Sequence, residues 1–227
     1  MLCNQLSTQD KEKIMNFLQS LNFKEFLIDK ELVDSFIQFA WAPCPDGELV
    51  TDHPRKLLND RQFKVCPTIF LNTENEGSLF IIMKFPNIKI NENKIIDIQY
   101  FNDCFEYYPY QPRKCSDLVK DKIKKAYNIQ NELSIGLLDK VAADQQFVAC
   151  SIEFANIISR CNKNVYYLWL KTFVKSPIWP DWCGIRHGDD VFYLFGLSLR
   201  LQSTISNSEK ENILEFMKQY GKFIRDG

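Results

Sequence analysis

Glycine and histidine are scarce in this chain of 227 residues: eight of the first and two of the second. The scattered glycines form no glycine-rich loop able to aim several backbone N–H groups at an oxyanion. No Gly-x-Ser-x-Gly occurs, so no serine stands on a sharp strand-to-helix turn. No Cys-x-x-Cys occurs and no His/Cys cluster has zinc spacing, which removes the common structural metal modules. The absence of an Asn-x-Ser/Thr sequon argues against a heavily glycosylated secreted protein. No apolar run reaches the roughly 18–20 residues that cross a bilayer. The opening Met1-Leu2-Cys3-Asn4-Gln5-Leu6-Ser7 has neither a basic stretch nor a long apolar core and does not read as a signal peptide. Charge of one sign is missing too. The net charge of −1 leaves no bulk electrostatic footprint for nucleic acid or an anionic membrane.

What is present has the composition of a globular protein. Hydrophobic residues make up 45% and charged residues 25%, which excludes wholesale disorder. The length fits one domain or two small ones. Aromatics reach 14%, with 18 Phe, enough for a large core or aromatic-lined cavities. The cysteines (Cys3, Cys44, Cys66, Cys104, Cys115, Cys150, Cys161 and Cys183) are even in number but form no compact framework. Buried thiols with one or two bridges and a fuller disulfide set are both compatible with that spacing.

Periodicity gives the elements. Ile14, Phe17, Leu18 and Leu21 predict an amphipathic helix over 9–22. Asp46-Gly47 marks a turn after the apolar stretch Phe36 to Ala42. Phe63 to Asn72 reads as a buried strand, with Pro67 the one residue that argues against regular pairing. Gly77 to Phe85 reads as a short helix. Residues 86–135 read as polar and irregular, with a short helix near 116–127. Phe147, Cys150, Phe154, Ile157 and Ile158 make a second helical stripe, and Asn164 to Thr172 is a strand by β-propensity. Ile213, Phe216, Met217, Tyr220, Phe223 and Ile224 give an amphipathic C-terminal helix. Two strands with flanking helices suit part of an α/β sheet, but two strands leave their edges uncovered. The pattern therefore predicts an incomplete sheet.

Of the two histidines, His53 lies in the turn-like Thr51-Asp52-His53-Pro54 and reads as a surface residue. His187 follows a strand and has Gly184 before it and Gly188 after it, a backbone that lets a side chain project into a cleft.

The stretch Trp179-Pro180-Asp181-Trp182-Cys183-Gly184-Ile185-Arg186-His187-Gly188-Asp189-Asp190, running into Phe192-Tyr193-Leu194-Phe195-Gly196, resembles the catalytic-histidine loop of the cholinesterase and type-B carboxylesterase family. That resemblance implies an α/β-hydrolase fold and a Ser-His-Glu triad. In the family the acid stands directly before Gly-Ser, and Glu76-Gly77-Ser78 matches. Glu76 would then orient His187, with Glu74 a solvated neighbour. The chain order, acid then histidine, also agrees. The likeness runs over nearly all of the chain, strongest at 34–80 and 145–227 and weak at 86–135. It implies the C-terminal part of a type-B carboxylesterase domain over 1–227, with the nucleophile-bearing half absent, Met1 an internal methionine and the chain inactive alone.

Further expectations come from the same resemblance. Ile37 and Phe39 match the acyl-pocket positions, where isoleucine would admit a larger acyl group. Leu79 and Phe80 match positions where acetylcholine-selective members carry aromatics, and Trp179 matches a gorge-lining tryptophan; plain core packing is the alternative for each. Cys3 and Cys150 match disulfide positions whose partners are not found in this chain. The substrate would be a small-molecule ester, with no metal or cofactor, no nucleic-acid partner, and no oligomeric state specified. Full-length members are often secreted or membrane-anchored. The alternative reading is a non-catalytic cholinesterase-like interaction module or a truncated pseudo-enzyme. Members of that kind generally lose part of the triad, whereas this chain keeps both Glu76 and His187.

Overall fold

The computed structural model describes residues 11–26, 43–88, 95–106, 115–171, 179–201 and 205–227. The chain divides into two compact units, one of Met1–Asp34 with Gln38–Ala42 and one of Ser35–Ile37 with Pro43–Gly227. In the first, α1 (Lys11–Ser20) is the helix expected from the apolar period, followed by a single 3-10 turn at Phe23–Phe26. Ile14, Phe17 and Leu18 are its less exposed positions.

The second unit opens on the turn at Asp46-Gly47. Asp46 Oδ1 accepts the amides of Glu48, Leu49 and Val50, and Gly47 takes a φ of 82°. Helix α2 (Pro54–Asn59) starts at His53, whose exposed ring accepts the Arg55 amide as an N-cap. Strand β1 (Thr68–Thr73) follows. It is shorter than the Phe63 to Asn72 expected. Pro67 has no N–H to give to a ladder, and pairing begins one residue after it.

Strand β1 runs parallel to β4 (Val165–Leu170), with Thr68 opposite Val165 and Thr73 opposite Leu170. The β-branched and aromatic run of β4 suits this pleated surface. Helix α3 (Ser78–Lys84) leaves the end of β1.

The described residues of 86–135 carry more secondary structure than their composition predicts. Strand β2 (Ile95–Asp97) pairs antiparallel with β3 (Glu132–Ser134), and between them lie α4 (Ile98–Cys104) and α5 (Asp117–Ala126). Asp97 caps α4 by accepting the Gln99 amide at 2.7 Å. The apolar residues here are interrupted by polar runs. They nevertheless converge: Ile96, Phe101, Cys104, Phe105 and Leu133 are all buried with Ile81 of α3 in one core.

The second helical stripe is the later part of a longer run. Helix α6 (Ile135–Ala143) passes through a π-helical turn at Asp144–Val148 into α7 (Ala149–Ser159). After β4 come α8 (Asp189–Leu194), α9 (Leu197–Leu201) and α10 (Asn207–Asp226). A capping box between Ser206 and Glu209 starts α10. Its buried Ile213 packs with Tyr193 of α8, and Leu170 of β4 lies against the pair.

Cys44, Cys66, Cys104, Cys150, Cys161 and Cys183 are free thiols, and no bridge is seen among the described cysteines; Cys3 lies outside the described residues. Among the described residues, no helix is long and apolar enough to cross a membrane. Nor does any group of three or more His, Cys, Asp or Glu side chains come together to hold a metal.

Candidate active site

Strand β1 ends in two buried residues, Asn72 and Thr73, and the chain then turns through Glu74, Asn75 and Glu76 into α3. The loop before α8 lies alongside this turn. Asn75 and Arg186 form a single parallel bridge, and the Asn75 amide donates to the Ile185 carbonyl at 2.9 Å. The turn carries Glu76 and the loop carries His187, so the bridge sets the two against each other.

Glu76 is buried, at 4% exposure. Its Oε1 accepts the Thr73 amide at 2.7 Å and Asn72 Nδ2 at 3.1 Å. Asn72 is itself held by the Tyr167 hydroxyl of β4, which donates to its Oδ1. The other oxygen, Oε2, lies 2.7 Å from His187 Nδ1. Burial by itself would raise the Glu76 carboxyl. The bonds from His187, Thr73 and Asn72 outweigh it and hold the group below its ordinary 4.5. The same bond to Glu76 raises His187 above its ordinary 6.5, against the opposing effect of desolvation. An ionised Glu76 therefore keeps the proton of the neutral imidazole on Nδ1 and leaves Nε2 as the basic nitrogen.

The imidazole is 43% exposed, which keeps it open to a reacting group. Two aromatic rings fix its plane. Phe147 stacks on it at 4.3 Å between centroids and 24° between planes, and Phe80 lies at 5.4 Å and 43°. Phe147 belongs to the π-helical turn, a local widening that re-aims side chains and is frequent at functional sites.

The loop itself is braced. Asp189 Oδ2 accepts the Arg186 amide at 2.9 Å, and its Oδ1 accepts the Arg186 guanidinium at 2.8 Å. The Trp179 ring lies 5.0 Å from that guanidinium. Gly188, at a φ of 86°, turns the chain from His187 into α8. The nearby Cys183 thiol is fully buried and pushed up to about 12 by burial, so it is inert as a nucleophile.

The structure thus brings together Glu76, His187 and Phe80. Leu79 is half-buried against the main core, and Trp179 meets Arg186 rather than the imidazole. Ile37 and Phe39 lie outside the described residues. Sequence reasoning missed Asn72, Asn75, Asp139 and the Arg186–Asp189 pair, and read Phe147 only as part of a core stripe. Phe147 carries one usable signal, its place just after the polar Asp144-Gln145-Gln146 inside an apolar helix.

Chemically, the arrangement pairs a partly exposed imidazole with a buried carboxylate, with aromatic rings on one side. The profile of the carboxylesterase family matches residues 1–227. The chain is similar to the acetylcholinesterase of Bungarus fasciatus, with 26% identity over 95% of this chain and 36% of that protein. It is similar also to the cholinesterase of Mus musculus, 23% identical over 97% of this chain and 38% of the relative. The acetylcholinesterase of Leptinotarsa decemlineata is 22% identical over 99% of this chain and 37% of its own length. The chain spans little more than a third of the length of these relatives. With the family profile matched from the first residue to the last, the chain belongs to the carboxylesterase family.

Proposed function

We propose that this chain carries the acid and the base of a serine carboxylester hydrolase. It would form the C-terminal part of a type-B carboxylesterase domain whose serine and oxyanion donors stand on residues outside these 227. The observation that carries the reading is the 2.7 Å bond between Glu76 Oε2 and His187 Nδ1, two residues 111 positions apart.

In this reading a serine hydroxyl attacks the ester carbonyl and His187 Nε2 takes its proton. The imidazolium returns that proton to the leaving alkoxide. Water then repeats the cycle on the acyl-enzyme. Glu76 stays ionised throughout and stabilises the imidazolium. Phe80 and Phe147 wall the imidazole, and Leu79, Trp179, Ile37 and Phe39 are the remaining candidates for contact with a small-molecule ester.

The experiment begins with the intact mass of the native protein and peptide coverage upstream of Met1. A mass above 26.7 kDa with a Gly-x-Ser-x-Gly peptide is expected. In that protein E76Q should lower kcat/KM for a simple ester by roughly 10⁴-fold, and H187A by more, on the order of 10⁶-fold. The acid limb of the kcat/KM profile should lie above pH 6.5 in the wild type and move down in E76Q, because Glu76 is what raises His187. Full activity in E76Q, or ester turnover by the pure 227-residue chain, would overturn the reading. A native mass of 26.7 kDa without turnover would instead favour the non-catalytic cholinesterase-like module.

A further inference from the structure

The acid turn and the histidine loop come from distant parts of the chain, and one side chain ties both to a third element. Besides the backbone bond already described, Asn75 Oδ1 accepts the Ile185 amide at 3.0 Å. Its Nδ2 donates to Asp139 Oδ2 of α6 at 2.8 Å. The side chain therefore bonds the residue two before His187 on one side and the core helix on the other.

The surroundings are shaped to admit it. Gly184 lies directly beneath: a Cβ there would fall 1.9 Å from Asn75 Oδ1, and the residue holds a φ of 52°. Gly77 lets the acid turn rest on α6, since a Cβ at that position would come within 2.5 Å of the Asp139 carbonyl oxygen. A second tie runs beside the first: Ser78 Oγ donates to the Cys183 carbonyl at 2.8 Å.

Asp139 is nearly fully buried, at 2% exposure. The amides of Gly77 and Ser78 face its carboxyl only loosely, and its Oδ1 makes no hydrogen bond of ordinary geometry. A buried acid with one idle oxygen needs an explanation. Its well-formed partner is Asn75, and Asn75 leads to the histidine loop.

The geometry points to Asn75 and Asp139 as positioning residues, a clamp that holds the His187 loop in register with the Glu76 turn. This rests on the reading of Glu76 and His187 as acid and base. Neither clamp residue is required to touch the substrate.

The test reads the imidazole directly. Histidine-selective NMR of the native protein, with His187 and His53 assigned by the signals lost in H187A and H53A, gives one reporter, His187, and one internal control, His53. In N75A the low-field Nδ1 proton of His187 should be lost and its titration midpoint should fall toward the ordinary imidazole value, with His53 unmoved. D139A should do the same. D139N, whose amide oxygen still accepts from Asn75, should retain the wild-type signals. A folded N75A with an unchanged His187 midpoint and Nδ1 proton would overturn the clamp.

Should N75A not fold, the wild-type chain decides by hydrogen exchange at the Ile185 amide. Protection supports the clamp, and exchange at the rate of a free loop amide overturns it. These readouts do not depend on ester turnover. The clamp can therefore fail while E76Q still kills activity, and it can stand in a chain that hydrolyses nothing.

Discussion

Asp139 sets the pH response of this fold more than any exposed charge does. Burial pushes its carboxyl from 3.8 up to about 7, against the lowering effect of the Asn75 bond and the Gly77 and Ser78 amides. A carboxyl raised in the folded state binds more protons folded than unfolded between those two values. Stability therefore falls as the pH rises across that window, by roughly 4 kcal/mol in all. The D139N variant removes the titration and keeps an acceptor for Asn75. It should match the wild type near pH 4 and exceed it in urea unfolding at pH 8. An equal difference at both pH values would show that Asp139 titrates at the same value folded and unfolded, with no shift from burial. The Glu76–His187 pair has a different window. The lowered Glu76 contributes above 4.5 and is lost as the pH falls through its folded value. The raised His187 contributes below 6.5 and is lost as the pH rises through its own. The pair is thus strongest between 4.5 and 6.5, where the folded Asp139 still holds its proton.

Between elements, contacts too close for a side chain decide how the site is assembled. Helix α3 and the acid turn sit on α6 at Gly77, where a Cβ would lie 2.5 Å from the Asp139 carbonyl oxygen and 2.8 Å from Ala142 Cβ. Both neighbours belong to a packed helix and cannot swing aside. G77A should cost about 1–3 kcal/mol, the range for overpacking a tight contact, and show as a lower urea midpoint with an unchanged m-value. A neutral G77A would mean that α3 can slide on α6. Those contacts also explain what the sequence could and could not disclose. Helices α1, α3, α5 and α10 and strand β4 follow from local period or β-propensity, and Pro67 argued against regular pairing at the start of the expected β1 without fixing where the strand begins. The antiparallel pair of β2 and β3 was hidden because its buried residues, Ile96 and Leu133, find their core partners far along the chain. Glu76 and His187, the proposed acid and base, were legible through resemblance, since Glu76-Gly77-Ser78 and the stretch around His187 carry local signatures. The Asn75–Asp139 bond, spanning 64 residues, has none. Nor has the ring of Phe147, whose place against His187 depends on a single π-helical turn.

For the molecule as a whole, the main sheet is the vulnerable part. Among the described residues β1 and β4 pair only with each other, so each has an outer edge without a strand. Parallel strands are normally covered on both faces and accompanied by further strands. Here Tyr166, Leu168 and Trp169 of β4 are 46%, 38% and 37% exposed. Toward α10 an open apolar cavity of about 200 Å³ lies between Ile69, Tyr166 and Leu168 on the strands and Phe216, Tyr220 and Phe223 on the helix. Free edges and exposed aromatics together favour association through the sheet. Prepared alone, the 227-residue chain should elute by light scattering at masses above 26.7 kDa and bind a dye that reports apolar surface. Placing a lysine on the exposed strand, as in L168K, should shift the population toward the single-chain mass, because a charge on an open strand resists pairing. A monodisperse 26.7 kDa species that melts cooperatively and ignores L168K would show that the two strands and their helices satisfy themselves. Glu76 and His187 would then sit in a part of the fold that stands without further strands.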